Sequence, residues 1–561
     1  MGEAAFQLQK WRVASLPLVN HFLGRLRLEP ILSSRIPRAP GTPLGPAACL
    51  LVLLRNVLLA REPLYGLSAW AARFRPDVLG LSPNTSELLN DDRVGRALEA
   101  LFDADRASLL TDVVVQAVRE FGVTLDRFHN DSTSLTLRGT YRKATGETKR
   151  GKRTLRAARG FNKEHRPDLK QLLWIVTVSG DGAVPVHYRA EDGNTNDTPT
   201  HRGSWDALAA LRGDTKFLYV ADSKLCDGDT LRYIDGKGGW FLTVLPRSRK
   251  EDRLFREHVQ TQEVDWQVVR ERPNPRNRAW TPDVWKMAES PIPAADGFRL
   301  VWVWNSLMAE QDQEARAERV ARALDGLGDL ERRLQSPKTK MRTRVAVEKA
   351  AVRAVGSAAR WVGWRVWEEP VESYRQERRG RPGKGTRYVK QVKLRLHVAP
   401  MPKEEAIAYD AKSDGMFPLL TNERKLSLKE LLEAYQFQPR IEKRHEQLKT
   451  VYEVVPALLK NIDREEALLF VYFLALLVEA LIEREVRKGM ERKGLESIPL
   501  YPEGRPCPAP TTDKVLEVFA DLEDNRLMKG REVVQVFRPE LTAQQRELLE
   551  LAGVPEETYT R

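Results

Sequence analysis

The stretch FHNDSTSLTL, residues 128–137, places three polar residues inside a pattern that otherwise predicts a β-strand. Apolar and β-branched residues flank the triplet Asn130-Asp131-Ser132 on both sides. Asn and Asp are disfavoured in strands. The same triplet is common turn chemistry, so a hairpin turn or a helix cap is the plainest interpretation. The stretch alone leaves open whether Asp131 lies in a turn or in a strand for a chemical reason.

The composition is that of a globular protein with a basic excess. The chain has 561 residues, of which 42% are hydrophobic and 30% charged. These values predict three or four structural units with well-formed cores. Lysine plus arginine exceed aspartate plus glutamate by 91 − 78 = 13. This excess favours a polyanionic partner, nucleic acid before an anionic membrane surface, over a merely soluble basic protein.

Cysteine usage and hydropathy argue against several other classes. Three widely separated cysteines, Cys49, Cys226 and Cys507, predict neither a disulfide framework nor a zinc site and fit a reducing cytosol. The most apolar run is ALLFVYFLALLV, residues 467–478. Because it is shorter than a membrane span, we interpret it as a buried helix and expect no membrane association.

The pattern of apolar residues divides the chain into five regions. The first, residues 1–120, has apolar residues at three- and four-residue spacing and is predicted to be helical. The second, residues 121–246, alternates strands and helices, as in a mixed sheet with flanking helices. The third, residues 247–410, is predicted to be a β-rich insertion domain. The last two regions are a helical segment and a Pro-rich, then amphipathic, end, at residues 411–492 and 493–561.

Three carboxylates have positions that suit a shared metal site. Asp131 interrupts one predicted strand and Asp222 ends another. Glu442 lies in YQFQPRIEKRHEQLK (435–449), a predicted helix in which it shares a face with Lys449, seven residues on. Mg²⁺ prefers a few carboxylates together with substrate oxygens. Two strand aspartates and a helix glutamate are the layout of a ribonuclease-H-like core, where two metal ions promote phosphoryl transfer.

These residues resemble the DDE-type transposases of bacterial insertion sequences, in the superfamily with a Tyr–Arg–Glu–Lys signature. Tyr435, Gln438, Glu442 and Lys449 occupy the four signature positions at the family's spacing, with Gln438 in place of Arg. Arg440 lies two residues beyond that replacement and could serve in its place. Further stretches resemble family motifs in the same order: GFNKEHRPDLKQLLW (160–174) and DGNTNDTPTH (192–201), as strands, then VADSKLCDG (220–228) and DGMFPLLTN (414–422).

The resemblance implies a fold, an activity and partners. It implies an α/β chain with a ribonuclease-H-like mixed sheet, flanking helices, a β-rich insertion domain and a helical N-terminal DNA-binding region. It implies cleavage of DNA at terminal inverted repeats and strand transfer into target DNA by a homodimer, in the cytoplasm at the bacterial nucleoid. Asp131, Asp222 and Glu442 would be catalytic and hold two Mg²⁺ or Mn²⁺ ions. The residues implied in DNA binding are Tyr435, Gln438, Arg440 and Lys449.

Two alternatives to a transposase stay open. One is another ribonuclease-H-like nuclease, such as a junction resolvase, which would cut branched DNA without repeat ends and without strand transfer. The other is a non-catalytic DNA-binding derivative of a transposase. Three smaller features also stay open. The polar cluster at residues 165–170 either lines the rim of the active site or forms a capped loop. The tryptophan triplet at residues 361–367 is expected in a core, and the exposed basic loop at residues 375–387 either contacts phosphates or is only solvated. Asn194 and Asp197 are expected in a turn.

Overall fold

The computed structural model describes residues 6–83, 85–137, 141–274, 280–451, 461–530 and 532–560. The chain forms two compact units. The first unit combines Met1–Thr243 with Leu431–Arg561, and the second is Val244–Glu430. The three carboxylates singled out above all belong to the first unit.

The strands follow one another along the chain with these bounds: β1 Phe6–Arg12, β2 Arg127–Leu137, β3 Thr148–Lys149, β4 Lys152–Arg153, β5 Lys170–Ser179, β6 Pro185–Glu191, β7 Leu218–Ala221, β8 Trp240–Val244, β9 Gln267–Arg272, β10 Asp283–Glu289, β11 Arg299–Asn305, β12 Val362–Gln376, β13 Tyr388–Pro402, β14 Met416–Thr421, β15 Ile498–Pro499, β16 Pro506–Cys507, β17 Glu523–Lys529 and β18 Glu532–Phe537.

The α-helices have these bounds: α1 Leu16–Arg25, α2 Leu28–Arg35, α3 Pro46–Leu59, α4 Leu67–Ala71, α5 Asp91–Asp103, α6 Arg106–Phe121, α7 Thr200–Arg212, α8 Gly228–Gly236, α9 Lys250–Thr261, α10 Ser306–Gln335, α11 Arg344–Val355, α12 Glu404–Ala411, α13 Leu428–Tyr435, α14 Gln438–Glu446, α15 Ile462–Lys493, α16 Thr512–Glu517, α17 Ala543–Ala552 and α18 Glu557–Thr560. Together with the strands they make a mixed α/β protein, which confirms the predicted fold class at this level.

Five strands of the first unit lie side by side in the order β6-β5-β2-β7-β8. The first two pairings are antiparallel and the last two are parallel, so the sheet is mixed, as predicted. β5 is buried along nearly its whole length, which explains its continuous apolar sequence.

The sequence FHNDSTSLTL forms a strand and not a turn. β2 runs through all ten of these residues and pairs with β5 from Phe128 to Leu137. The buried Asn130 amide donates to the hydroxyl of Thr177 on β5, and the Ser132 hydroxyl donates to Asp197. Because these partners satisfy the polar groups, the triplet is tolerated inside the sheet.

A single long helix forms the centre of the first unit. α15 is buried on all sides over most of its length and packs against α1, α3, α5, α17 and β6. Its run of apolar residues includes 467–478, so the interpretation of that run as a buried helix is confirmed. Over the described residues, no helix combines the length and hydropathy that crossing a membrane requires.

Both ends of the chain contribute to one small sheet of the first unit. β1 pairs antiparallel with β17, which pairs in turn with β18. The prediction of an all-helical region 1–120 was therefore wrong at its start, where residues 6–12 form a strand. The reason is physical: β1 is mostly exposed and lacks the apolar alternation that marks a half-buried strand.

The second unit contains an antiparallel sheet and a helix-backed ribbon. β14, β11, β10 and β9 pair in that order, each antiparallel to the next. β12 and β13 form a separate two-stranded ribbon, and one end of this ribbon packs on α10 and α11. The triplet Trp361, Trp364 and Trp367 lies at the start of β12. Trp361 and Trp364 are half-buried, with indole N–H groups that donate to carboxylates, while Trp367 is more exposed and stacks on His397.

Candidate active site

Asp131 and Asp222 follow the paired stretch of two neighbouring parallel strands. β2 and β7 pair in parallel up to Asn130 and Ala221. Asp131 is the next residue on β2, whereas Asp222 comes directly after the end of β7 and caps the 3₁₀ turn Ser223–Leu225. The parallel pairing therefore brings the two acids to the same end of the paired stretch, one within a strand and one at the start of a loop.

Two cationic or protonatable side chains contact the Asp131 carboxylate. His445 Nε2 lies 3.3 Å from Oδ2, and Lys163 Nζ lies 3.6 Å from Oδ1. Lys163 also donates to the backbone carbonyl of Ser132. Burial acts to raise the pKa of Asp131, but His445 and Lys163 outweigh it and the net pKa is lowered. Asp131 is therefore held ionised near neutral pH.

Asp222 is in a different electrostatic environment. Its carboxylate accepts the backbone N–H of Lys224 at 2.9 Å and caps the 3₁₀ turn Ser223–Leu225. Burial is the largest influence and raises the pKa of Asp222, the Lys224 N–H opposes it, and the charge of Asp131 raises it further. The charge of Lys163 acts to lower the pKa of Asp222 but does not offset these influences, so the net pKa is raised.

Helix α14 carries the third acid over the sheet. The helix packs against β2 and β5, and its buried residues include Ile441 and His445. Glu442 is an exposed residue of the same helix. His445, one turn after Glu442, contacts Asp131. Burial raises the pKa of Tyr435, and the charges of Glu442 and Asp222 raise it further. Tyr435 therefore lies within range of the charges of both Glu442 and Asp222.

A second layer of polar groups surrounds the strand acids. Asp197 accepts the Ser132 hydroxyl at 2.7 Å, and its charge contributes to the raised pKa of Asp222. His201 Nδ1 lies 3.1 Å from the Tyr219 hydroxyl, and burial lowers the pKa of His201 to about 4. The residues after β6 therefore add a third carboxylate beside the pair. Residues 192–199 form the loop before α7, which corrects the expectation of a strand there.

The donor set suits a hard divalent cation at the Asp131–Asp222 pair. Two carboxylates at the same end of neighbouring parallel strands, one of them with a raised pKa, are the oxygen ligands that Mg²⁺ and Mn²⁺ take together with phosphate oxygens. Across the described part of the chain, no three His, Cys, Asp or Glu residues are grouped closely enough to hold a metal ion. Glu442 therefore does not complete a three-acid cluster here, and the predicted two-ion site stays a prediction.

The residues expected to bind DNA lie on and around α14. Gln438 opens the helix, and its buried Oε1 has no hydrogen bond within the described residues. The Arg440 guanidinium stacks 4.7 Å over the Phe437 ring and is exposed. Lys449 forms an ion pair with Glu164 at 3.1 Å. Lys449 lies in the π-helical turn Gln447–Val451 directly after α14, so the α-helix that bears Glu442 ends before it. Its role in DNA binding stays a prediction.

The predicted polar cluster at 165–170 forms a local ion pair. Arg166 donates two hydrogen bonds to Asp168, and both side chains are exposed. Lys163, two residues before this cluster, is the residue of this segment that contacts the site. Sequence reasoning also missed His445 and gave Asp197 only a turn role. Lys163, His445 and Asp197 lie in NKEH (162–165), EKRHE (442–446) and NTND (194–197), but their partners are distant in the chain.

Comparison with known proteins adds two findings. Residues 8–115 match a family model, DUF4277, described as a domain of unknown function. A piggyBac transposase in a synaptic complex with hairpin DNA matches with 9% identity and a TM-score of 0.39, over 91% of this chain and 82% of that chain. Such a distant likeness defines neither the fold nor the function of this chain. No curated protein sequence matches the chain.

Proposed function

We propose that the chain is a DNA transposase of the DDE type, which uses Asp131, Asp222 and Glu442 for metal-dependent phosphoryl transfer. One observation carries the proposal: Asp131 on β2 and Asp222 directly after β7 follow the last paired residues of two neighbouring parallel strands, and the helix that bears Glu442 packs on β2. The mixed sheet with two strand acids and a helix acid supports a ribonuclease-H-like assignment. The net charge of +13 supports a DNA partner.

The chain's own residues would prepare the site for substrate. Lys163 and His445 keep Asp131 ionised, so this carboxylate is ready to act as a ligand. Asp222, with its raised pKa, would gain most from a bound cation, which would favour its ionised form. Mg²⁺ or Mn²⁺ at these acids would supply activation of the attacking oxygen and charge stabilisation of the leaving oxygen. Tyr435, Gln438, Arg440 and Lys449 would contact the DNA backbone beside the acids.

The remaining parts of the proposal concern partners and location. The substrates would be the terminal inverted repeats of the element and a target duplex. Synapsis of two ends would require a homodimer, acting in the cytoplasm at the nucleoid. The helical region that contains α1–α6 would contribute to recognition of the ends.

A non-catalytic DNA-binding derivative is the second candidate function. The favouring observation is that the Asp131 carboxylate is already engaged by Lys163 and His445, while the described residues contain no three-acid metal cluster. Such a protein would bind DNA with an affinity that falls with salt, as a transposase would. It would not cleave DNA in the presence of Mg²⁺ or Mn²⁺. A metal-dependent cleavage assay therefore separates the two candidates.

The test uses the full chain and a DNA fragment containing the coding sequence with its natural flanks. With Mg²⁺ or Mn²⁺ we expect discrete cleavage at both ends and joining to a second plasmid. D131N, D222N and E442Q should each reduce cleavage by a factor of at least about 100. E446Q, one turn further along the same exposed helix surface, is the matched control and should retain activity.

Three results would overturn the proposal. One is cleavage that persists in EDTA, and another is full activity in D131N or D222N. The third is cutting of four-way junctions without end cleavage or strand transfer, which would identify a resolvase. A wild-type chain that binds the fragment and never cleaves it would favour the non-catalytic derivative.

A further inference from the structure

The ribbon of β12 and β13 is anchored at one end and uncovered at the other. The strands pair antiparallel over fifteen residues each, from Val362 with Pro402 to Gln376 with Tyr388. At the anchored end, Val362, Val366 and Val398 are buried in a core formed with α10 and α11. From residue 371 outward no ribbon side chain is buried. At a rise of about 3.3 Å per residue, the uncovered part reaches roughly 20 Å from its support.

The uncovered part of the ribbon has a strong positive charge. Residues 371–394 contain eight basic and two acidic side chains, a net charge of 8 − 2 = +6. Within the described residues only Lys390 of the eight forms an ion pair, with Glu372 at 2.5 Å. All eight are exposed: Arg375, Arg378, Arg379, Arg381, Lys384, Arg387, Lys390 and Lys393. Mutual repulsion of seven uncompensated cations is unfavourable unless a polyanion binds them.

The register assigns these side chains to faces of the ribbon. Partners opposite each other, and every second residue along a strand, share a face of the ribbon. Arg375, opposite Val389, and Lys393, opposite Val371, therefore lie on one face. Tyr374 and Tyr388 lie on the other face, each more than half exposed. The tip, residues 377–387, begins with a backbone hydrogen bond from Glu377 to Arg387 and contains five of the remaining cations.

We propose that the uncovered ribbon, residues 371–394, is an arm that docks on duplex DNA, with its two strands in the major groove and its tip cations on the flanking phosphates. A two-stranded ribbon fits the width of the B-DNA major groove, about 12 Å. Exposed Arg and Lys side chains at the edges of such a ribbon are within reach of both phosphate backbones. The inference rests on the proposed function for its choice of a DNA partner.

A second copy of the chain is the competing occupant. Exposed apolar side chains such as Val392 and Leu394 on the face of Tyr374 and Tyr388 would suit a protein partner. Pairing two ribbons, however, would bring two net charges of +6 together, and this repulsion opposes self-association. The charge of the arm therefore favours DNA, and self-association becomes an outcome of the test.

The experiment compares two variants with equal charge change in the full chain. The arm variant is R378Q/R379Q/R381Q/K384Q, and the matched control is R322Q/R342Q/K349Q/R353Q, whose four exposed side chains lie on or next to α10 and α11. Binding of a fluorescein-labelled 40-base-pair duplex of arbitrary sequence is followed by anisotropy at several KCl concentrations. Far-ultraviolet circular dichroism and the thermal midpoint check that each variant is folded like the wild type.

The slope of log K against log [KCl], where K is the DNA-binding constant, should change in the arm variant and stay unchanged in the control. Each lost phosphate contact reduces the slope of log K against log [KCl] by about 0.9, so the arm variant should lose about 3 to 4 from the slope. Its affinity in 100 mM KCl should fall by at least about 100-fold. The control should keep the wild-type slope. Equal slopes in the two variants would overturn the inference.

Failure of the inference differs from failure of the proposed function. If the arm variant keeps wild-type DNA binding while D222N abolishes metal-dependent cleavage, the inference is wrong and the proposed function stands. If the arm variant loses DNA binding and the wild type cleaves no DNA with any divalent metal, the inference stands and the proposed function is wrong. Light scattering that shows a dimer split by Y388S/L394S, with an unchanged salt slope in the arm variant, would assign the ribbon to self-association.

Discussion

The substitution Asp222→Asn should stabilise the free protein and at the same time abolish its response to divalent metal. Asp222 directly follows β7, the parallel neighbour of the strand that carries Asp131, and the charge of Asp131 raises the pKa of Asp222. Asparagine has nearly the same shape, and its Oδ1 can still accept the backbone N–H of Lys224. The substitution therefore removes a like-charge repulsion and leaves the local hydrogen bond in place.

The magnitude follows from the spacing of the strands. Adjacent strands are about 4.8 Å apart, and two unit charges about 5 Å apart repel by about 3 kcal/mol at an effective dielectric constant of 20. Lys163 and His445, 3.6 Å and 3.3 Å from the Asp131 carboxylate, compensate part of this repulsion. We therefore expect the unfolding free energy of D222N to exceed that of the wild type by about 1 kcal/mol in the absence of metal.

The assay is urea unfolding at pH 7.5, first in EDTA and then in 10 mM MgCl₂. In EDTA, the D222N midpoint should be higher than that of the wild type. With Mg²⁺ at ten times its dissociation constant, the wild type should gain about 1.4 kcal/mol and D222N almost nothing. The control is D168N, an exposed aspartate paired with Arg166, which should respond to metal like the wild type. A lower midpoint for D222N in EDTA, or an equal Mg²⁺ response in both proteins, would refute the reasoning.

Three further predictions concern buried histidines, glycine packing and the exposed cation beside Asp131. Burial lowers the pKa values of His129, His187 and His201 to about 3 or 4, so the unfolded chain takes up protons at a higher pH than the folded chain. The unfolding free energy should therefore fall from pH 6.5 toward pH 4 by up to about 1.4 kcal/mol per pH unit per histidine, which urea midpoints would show. Gly193→Ala would overlap the carbonyl oxygen of Gln171 and should lower the unfolding free energy by at least about 1–3 kcal/mol, whereas Gly328→Ala inside α10, with open space at its Cβ, should raise it by up to about 1 kcal/mol. Lys163→Met removes a cation that competes for Asp131, so calorimetry should show Mn²⁺ binding several-fold tighter; weaker binding would contradict this role.

The elements that sequence predicts best are those whose burial imposes a pattern. β5 is a continuous apolar run because it is covered on both faces, and α15 is apolar all round because it is enclosed. β1 and β18 could not be found this way, since their side chains are mostly exposed and unpatterned. β1 is also held by β17, more than 500 residues away in the chain, which no local pattern contains.

The same distinction applies to the site. Local patterns indicated that Asp131 lies within a strand pattern and that Asp222 ends one, but the order that makes β2 and β7 neighbours is contained in no local pattern. The sequence could not decide between a turn and a strand for Asn130-Asp131-Ser132, because the deciding partners, Thr177 and Asp197, are 47 and 65 residues away. The contacts of His445 and Lys163 with Asp131 likewise depend on how α14 and the segment before β5 pack on β2. The π-helical turn that contains Lys449 has no sequence signal that marks it.

The central claim is that Asp131, Asp222 and Glu442 together hold divalent metal ions. The most direct measurement is electron paramagnetic resonance titration of the full chain with Mn²⁺, in which the loss of the free-ion signal counts bound ions. The account predicts saturable binding of up to two ions by the wild type, strong loss in D131N and D222N, loss of at least one ion in E442Q, and wild-type binding in E446Q. Equal Mn²⁺ binding by the wild type, D131N and D222N would contradict it.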